Sequence, residues 1–243
     1  MKQLKIGAVA ATADRPLIAA PITAYTWQQA VQQADLLKKS AVDVVEWRVD
    51  YLETLDNLMV THIQKVCQAT SKPVIFTWRT QAEGGAKAYS RRTYERVYLN
   101  AITAGVAALD IEINLLADQK NLLKTIPNDV QIIGSKHYFT KTPANLVSLL
   151  DNMVTLPIDI IKLATMPQQL SDVDVLLTST KKVAKNANKP LITMAMGVMG
   201  MPSRIIGRRY GSQLTFVTVI NSSAPGQLMV TDLLQKWGTR YDI

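Results

Sequence analysis

The chain has 243 residues, which suits one large domain or two small ones, and 48% of them are apolar, enough for a sizeable core. Its net charge of +8 comes from basic residues that are dispersed and lack interleaved aromatics, which argues against a nucleic-acid binder and for a small anionic partner. A single cysteine, Cys67, excludes an internal disulfide, and no run approaches the roughly 18 apolar residues of a membrane span, so a cytoplasmic protein with neither nucleic-acid nor membrane partners is expected.

Residues 1–13 read as an extended lead-in with room for a hairpin, broken near Asp14-Arg15-Pro16. Two lysines before a short apolar run faintly resemble a signal peptide, but the run is short and Asp14 and Arg15 cut it. A strand-and-helix rhythm then begins. Residues 17–22 are apolar, and 26–40 have helical spacing, with Trp27, Ala30, Val31, Ala34 and Leu37 on one side. Further strands are expected at 42–49, 73–78, 106–113, 130–135, 158–164, 190–196 and 214–220. Helices are expected between them at 55–70, 91–104, 115–125, 143–152, 170–186 and 202–209, and a last one at 227–237. Pro143 suits a first helical turn. Eight β-then-α units with short connections predict an α/β fold with a parallel sheet. At this length the expectation is a (β/α)8 TIM barrel, one domain over residues 1–243, rather than an open doubly wound sheet. No GxGxxG follows the first strand.

Such barrels keep their chemistry at the C-terminal ends of the strands. The second strand ends in Glu46-Trp47-Arg48-Val49-Asp50, where Glu46 and Arg48 share a face; they either bind ligand hydroxyls or form a structural salt bridge. The third ends in Phe76-Thr77-Trp78-Arg79, followed by Glu83-Gly84-Gly85, whose glycines permit an unusual turn and leave room for a ligand. The fifth ends in Gly134-Ser135-Lys136-His137-Tyr138-Phe139. His137 is either structural or a general acid/base, whereas His62 reads as a helix surface residue. No second histidine or cysteine is placed to make a metal site with it.

In the sixth strand Ile158, Ile160 and Lys162 are expected on one side. Either the lysine snorkels to water, or it is a desolvated amine able to form a Schiff base with a ketone or aldehyde. Met194 and Met196 are core filler or an apolar wall beside that lysine. Arg204, just inside the helix after the 197–203 loop, suits a two-pronged grip on a carboxylate. The polar loop from Asn221 to Gln227 opens the last helix, near whose N-terminus an anion is favoured.

Glu-Trp-Arg-Val-Asp at 46–50, Phe-Thr-Trp-Arg with Glu-Gly-Gly at 76–85, Ser-x-His-x-Phe at 135–139, Lys-x-Ala-x-Met-Pro at 162–167, Met-x-Met at 194–196, Ser-Arg at 203–204 and Ser-Ala-Pro-Gly-Gln at 223–227 occur together in one order. In that order and spacing they resemble the type I 3-dehydroquinate dehydratase family, the Schiff-base enzymes of the shikimate pathway, across essentially the whole chain. The resemblance implies that Lys162 forms an imine, that His137 moves protons and that Glu83 is its carboxylate partner. It implies that Glu46, Arg48, Arg79, Arg204, Ser223 and Gln227 bind the substrate, with Met194 and Met196 lining the pocket. It further implies 3-dehydroquinate as substrate, 3-dehydroshikimate as product, no metal or organic cofactor, and a homodimer. Two stretches depart from the pattern: Val198-Met199, where many members have a lysine and a polar residue, and the extra-looking tail at 238–243. A class I aldolase-like enzyme and a barrel used only for binding are the rival readings. The first lacks a clear phosphate loop, and the second predicts no covalent adduct with a keto acid.

Overall fold

The computed structural model describes residues 2–220 and 223–238. Its order begins with a two-stranded antiparallel hairpin, β1 (Lys5–Ile6) and β2 (Val9–Ala10), as the lead-in suggested. The eight barrel strands are β3 (Leu17–Ile22), β4 (Val44–Arg48), β5 (Val74–Thr77), β6 (Ala108–Glu112), β7 (Gln131–Tyr138), β8 (Ile160–Thr165), β9 (Leu191–Ala195) and β10 (Leu214–Thr218). They pair in parallel from β3 through β9, and β10 returns beside β3 with Leu214 opposite Leu17. This is the (β/α)8 barrel that the rhythm predicts.

The helices are α1 (Trp27–Lys38), α2 (Val60–Thr70), α3 (Arg91–Ala104), α4 (Lys120–Thr125), α5 (Leu146–Thr155), α6 (Leu170–Ala184), α7 (Met201–Ile206) and α8 (Val230–Gly238). Local chemistry sets several of their ends. Thr26 caps α1 by accepting from the Gln29 backbone, while the Gln29 side chain accepts from the Thr26 backbone, a reciprocal capping box. Gly105 closes α3 at φ 83°, where a residue with a Cβ is disfavoured. Among the described residues no helix is long and apolar enough to cross a membrane.

The barrel seam lies between β9 and β10. There the strands meet through one bridge, Leu191 to Ser212, and the Gln213 amide donates to the Leu191 carbonyl at 2.8 Å. The Ser212 hydroxyl accepts from the Thr193 amide at 2.9 Å and donates to its carbonyl at 3.0 Å, replacing ladder bonds that the seam lacks. A short β11 (Leu228–Met229) pairs with the C-terminal end of β10.

Strand alternation divides the core in two. Inward residues such as Leu17, Ala19, Val44, Ile75, Ala108, Ile133, Ile160, Ile192 and Leu214 fill the barrel, and Leu4, Ile6 and Ala11 of the hairpin pack against them. Outward residues such as Trp47, Phe76, Ile111 and Leu163 pack against the helices, where Phe76 meets Trp47 and Tyr98 edge-on. Ile158 belongs to this outer layer, so it does not share a face with Ile160 and Lys162; it precedes the ladder, where strict alternation does not hold.

Other boundaries shift for tertiary reasons. β7 runs through Tyr138 rather than stopping at 135, because residues 133–138 pair one-to-one with residues 160–165 of β8. His137 is therefore inside a strand, not after it. Pro143 lies ahead of α5, which starts at Leu146, and the last helix starts at Val230 because Leu228 and Met229 are taken by β10. Residues 55–59 precede α2 rather than opening it. His62 is half-buried and stacks on Trp27 with ring centres 4.3 Å apart, more than a plain surface residue. Cys67 is a half-buried residue of α2 whose thiol is pushed up to about 11 by burial, consistent with a packing role.

The hairpin is tied to the barrel by Gln213, whose side chain accepts from the Leu4 amide at 2.8 Å and donates to the Lys2 carbonyl at 2.7 Å. Gln213→Ala strands the buried Leu4 amide and is expected to cost about 1–3 kcal/mol of stability. A lower denaturant midpoint checks this; an unchanged midpoint would mean that Leu4 and Ile6 hold the hairpin by packing alone.

Candidate active site

The inward positions change character towards the C-terminal ends of the strands. On β4 Val44 gives way to Glu46 and Arg48, on β6 Ala108 to Asp110 and Glu112, on β7 Ile133 to Ser135 and His137, and on β8 Ile160 to Lys162. On β9 and β10 the corresponding positions are Met194 and Phe216, so one side of the mouth is charged and the other apolar. A pocket opens there, and Glu46, Arg48, Arg79, Glu83, His137, Lys162, Met194, Met196, Arg204, Ser223 and Gln227 all line it. Every candidate from the sequence is thus brought to one place.

Lys162 is 4% exposed, yet its surroundings are not those expected from isoleucines alone. Its ammonium donates to Glu46 Oε1 and to Asp110 Oδ2, both at 2.7 Å, and lies 4.6 Å from the centre of the Phe216 ring. Glu46 therefore does not pair with Arg48. Arg48 instead makes two parallel 2.8 Å hydrogen bonds to Asp50, the last residue of the same motif.

Asp110 is fully buried and is the hinge of the network. Its Oδ1 accepts from Arg79 Nη2 at 2.7 Å and from the Ser135 hydroxyl at 2.6 Å, while Oδ2 holds Lys162. Burial pushes its carboxyl up, but Arg79 and Lys162 outweigh that and hold it below the usual carboxylate range. Arg79 also donates to Glu112 at 3.2 Å and to Ser135 at 2.9 Å, so its guanidinium is largely committed within the protein. Glu112 in turn accepts from both the amide and the hydroxyl of Thr80 at 2.8 Å.

Glu83 Oε2 accepts from the His137 backbone amide at 2.9 Å and stands 3.1 Å from His137 Nδ1. The oxygen is an acceptor, so Nδ1 carries the proton and Nε2 keeps its lone pair. Burial, with Arg79 and Lys162 adding to it, holds the imidazole well below its usual range, that is, neutral near physiological pH. Gly84, at φ 77°, and Gly85 are required by packing. A Cβ on the first would collide with the Phe139 ring and one on the second with the Arg79 carbonyl, and Gly84 and Phe139 both line the pocket.

Arg204 differs from the other two arginines of the pocket. It is 3% exposed, it has no carboxylate partner among the described residues, and its Nε has no hydrogen bond. Its contacts are a 3.9 Å approach to Met194 Sδ and a 3.4 Å bond to the Pro225 carbonyl. Burial lowers it to about 10, which leaves it cationic at neutral pH. Ser223 and Gln227 close their loop on each other, the Ser223 amide donating to Gln227 Oε1 at 2.9 Å. Val198 is 78% exposed, and neither it nor Met199 lines the pocket. The tail at 239–243 and the loop residues Asn221 and Ser222 lie outside the described residues.

Asp110, Glu112 and Phe216 were not singled out from sequence. Asp110-Ile111-Glu112 repeats the i, i+2 spacing of Glu46 and Arg48 at the end of its strand, and that signal was available.

The model of the type I 3-dehydroquinase family matches residues 18–242. The chain belongs to the type I 3-dehydroquinase family. It is 36% identical over 230 residues to a 3-dehydroquinate dehydratase of Listeria innocua, covering 90% of each chain. It is 35% identical over 243 residues to one from Escherichia coli, covering 96% of this chain and 94% of that one. The crystal structure of the type I 3-dehydroquinate dehydratase of Clostridium difficile superposes with a TM-score of 0.87 at 32% identity, covering 98% of this chain and 97% of that one. That of Geobacillus kaustophilus gives 0.88 at 28%, covering 98% and 96%. As a type I 3-dehydroquinase, the chain is a hydro-lyase of the dehydroquinate dehydratase class.

A buried guanidinium without a carboxylate is costly unless a ligand supplies the anion. If that anion is the substrate carboxylate, as the resemblance implies, Arg204→Lys should weaken its capture by about 2–5 kcal/mol, roughly 30-fold to several thousandfold in kcat/KM. Steady-state kinetics on 3-dehydroquinate check it; unchanged constants would place the carboxylate elsewhere.

Proposed function

We propose that the chain converts 3-dehydroquinate to 3-dehydroshikimate and water through a Schiff base on Lys162, with His137 as the general acid/base. The observation that carries this reading is the pairing of β7 with β8. Ser135 stands opposite Lys162 and His137 opposite Ala164, so the imidazole sits one inward position nearer the mouth than the amine. A ring seated between them would present its ketone to Lys162 below and its neighbouring C–H to His137 above.

The substrate carboxylate pairs with Arg204, and one face of the ring lies along Met194, Met196 and Phe216. Lys162 must first lose a proton. Asp110, already bound by Arg79, holds the amine in position, while Glu46 at 2.7 Å lines the pocket and takes the proton. The amine adds to the ketone, Glu46 returns the proton and water leaves, forming a protonated imine that draws electrons from the adjacent carbon. His137 Nε2 removes the proton from that carbon to give an enamine. Glu83 stabilises the imidazolium through Nδ1. The enamine then expels the β-hydroxyl, which departs as water with the proton His137 returns. Hydrolysis of the conjugated imine frees Lys162, so the net change is loss of one water. The Clostridium difficile relative was solved with covalently modified comenic acid, which accords with a nucleophile in this family. No step calls for a metal or an organic cofactor. The same reading takes residues 1–243 as one domain working as a cytoplasmic homodimer; sedimentation of the purified chain tests the dimer.

Borohydride with substrate or product should add one ligand mass per chain on the peptide holding Lys162. Label on another lysine, or none, removes the Schiff base. His137→Ala should lose about 10²–10⁴-fold in kcat, yet still form the imine and stall there. Intact mass without reductant should then show an adduct one water lighter than the simple sum, and near-normal turnover would remove His137 from its role. Because burial keeps the imidazole neutral below the usual value of about 6.5, kcat should stay flat as pH falls through that value and drop only well below it. A drop centred near that value would show an imidazole exposed to water.

A further inference from the structure

Lys136 lies between the inward residues Ser135 and His137 on β7, so its side chain leaves the barrel interior. It returns to the site from outside. Its ammonium is 2.9 Å from Glu83 Oε1 and 5.6 Å from the centre of the Tyr138 ring. The side chain is 16% exposed, and among the described residues Glu83 is its one carboxylate partner. Glu83 is thus held at both oxygens, Oε1 by Lys136 and Oε2 by the amide and Nδ1 of His137. A carboxylate gripped at both ends has a fixed plane, and that plane sets how Oε2 meets the imidazole.

The charges around the dyad make the same residue matter. Burial drives Glu83 towards its neutral acid, Arg79 opposes this, Glu112 adds to it, and Lys136 opposes it again. Arg79 stands 3.8 Å from Glu83 and spends its hydrogen bonds on Asp110, Glu112 and Ser135, so Lys136 is the cation in direct hydrogen bond. His137 is faced by Arg79, Lys162, Asp110 and Arg48 as well as by Glu83.

We infer that Lys136 is a positioning residue for the dehydration: by binding Glu83 Oε1 it keeps that carboxylate ionised and oriented, so that His137 offers a basic Nε2 over a wider range of acidity. This rests on the role proposed above for His137. The sign follows from either group. Without the ammonium, Glu83 protonates at higher pH and stops accepting from Nδ1, and His137 likewise protonates at higher pH and stops acting as a base.

The test is kcat against pH for the wild type, Lys136→Gln, Lys136→Met and Lys136→Arg, with borohydride trapping and His137→Ala alongside. In the Gln and Met variants the acid limb of kcat should move up by roughly 1–3 pH units, while alkaline turnover stays near that of the wild type. Lys136→Arg should keep the limb near its wild-type position, and trapping at Lys162 should persist throughout. An unmoved limb, or a uniform loss at every pH that arginine does not relieve, overturns the inference. A dead His137→Ala beside an unmoved limb overturns it alone, whereas an active His137→Ala overturns it together with the role of His137.

Discussion

Asp110 is fully buried, and two cations depend on it. Taking three charges into a barrel costs several kcal/mol per ion unless each is paired and hydrogen-bonded. Here the conditions are met: Arg79 and Lys162 each approach to 2.7 Å, and the Ser135 hydroxyl completes the shell of Oδ1. A carboxylate locked in this way fixes where the Lys162 amine stands. It also occupies Arg79, which otherwise would be free to bind a substrate. The arrangement explains why three buried arginines in one pocket do different things. Arg48 is neutralised by Asp50 and Arg79 by Asp110 and Glu112, which leaves Arg204 as the pocket arginine with no carboxylate partner among the described residues.

This charged layer rests on an apolar one. Ile75, Ala108, Ile133, Ile160 and Ile192 sit one inward position deeper, and the hairpin residues Leu4, Ile6 and Ala11 pack among them. Water is thereby excluded from beneath the network, and electrostatic interactions above it are strengthened. The seam between β9 and β10, joined by Ser212 rather than by a full ladder, falls on the apolar side of the mouth. The charged groups of Glu46, Asp110, His137 and Lys162 thus all stand on strands with continuous pairing, β4 through β8, where their relative heights are set by register. A Schiff-base mechanism needs that rigidity, because amine and base must address neighbouring atoms of one substrate.

Much of this was legible in the chain. The alternation of apolar strands with amphipathic helices requires a parallel sheet covered on both faces, and eight units in this length close it into a barrel. Side-chain direction along one strand is a local property with a period of two, so Glu46 with Arg48, and Met194 with Met196, could be assigned to one face from spacing. The functional residues stand at strand ends, where the barrel geometry collects them without further information. What spacing cannot supply is the partner across a strand boundary. Glu46 reaches Lys162 although 116 positions separate them, a choice that follows from register and barrel closure. The turn at Gly84 and Gly85 reads locally as space for a ligand, and Gly84 does line the pocket, but the ring of Phe139 that packs against it, distant in sequence, comes only from the fold. Likewise β7 lengthens to include His137 only because β8 is there to pair with it. The order and facing of the elements follow from short-range stereochemistry, which the residues carry themselves. The pairing of buried charges depends on distances between strands, and these exist only once the sheet has closed.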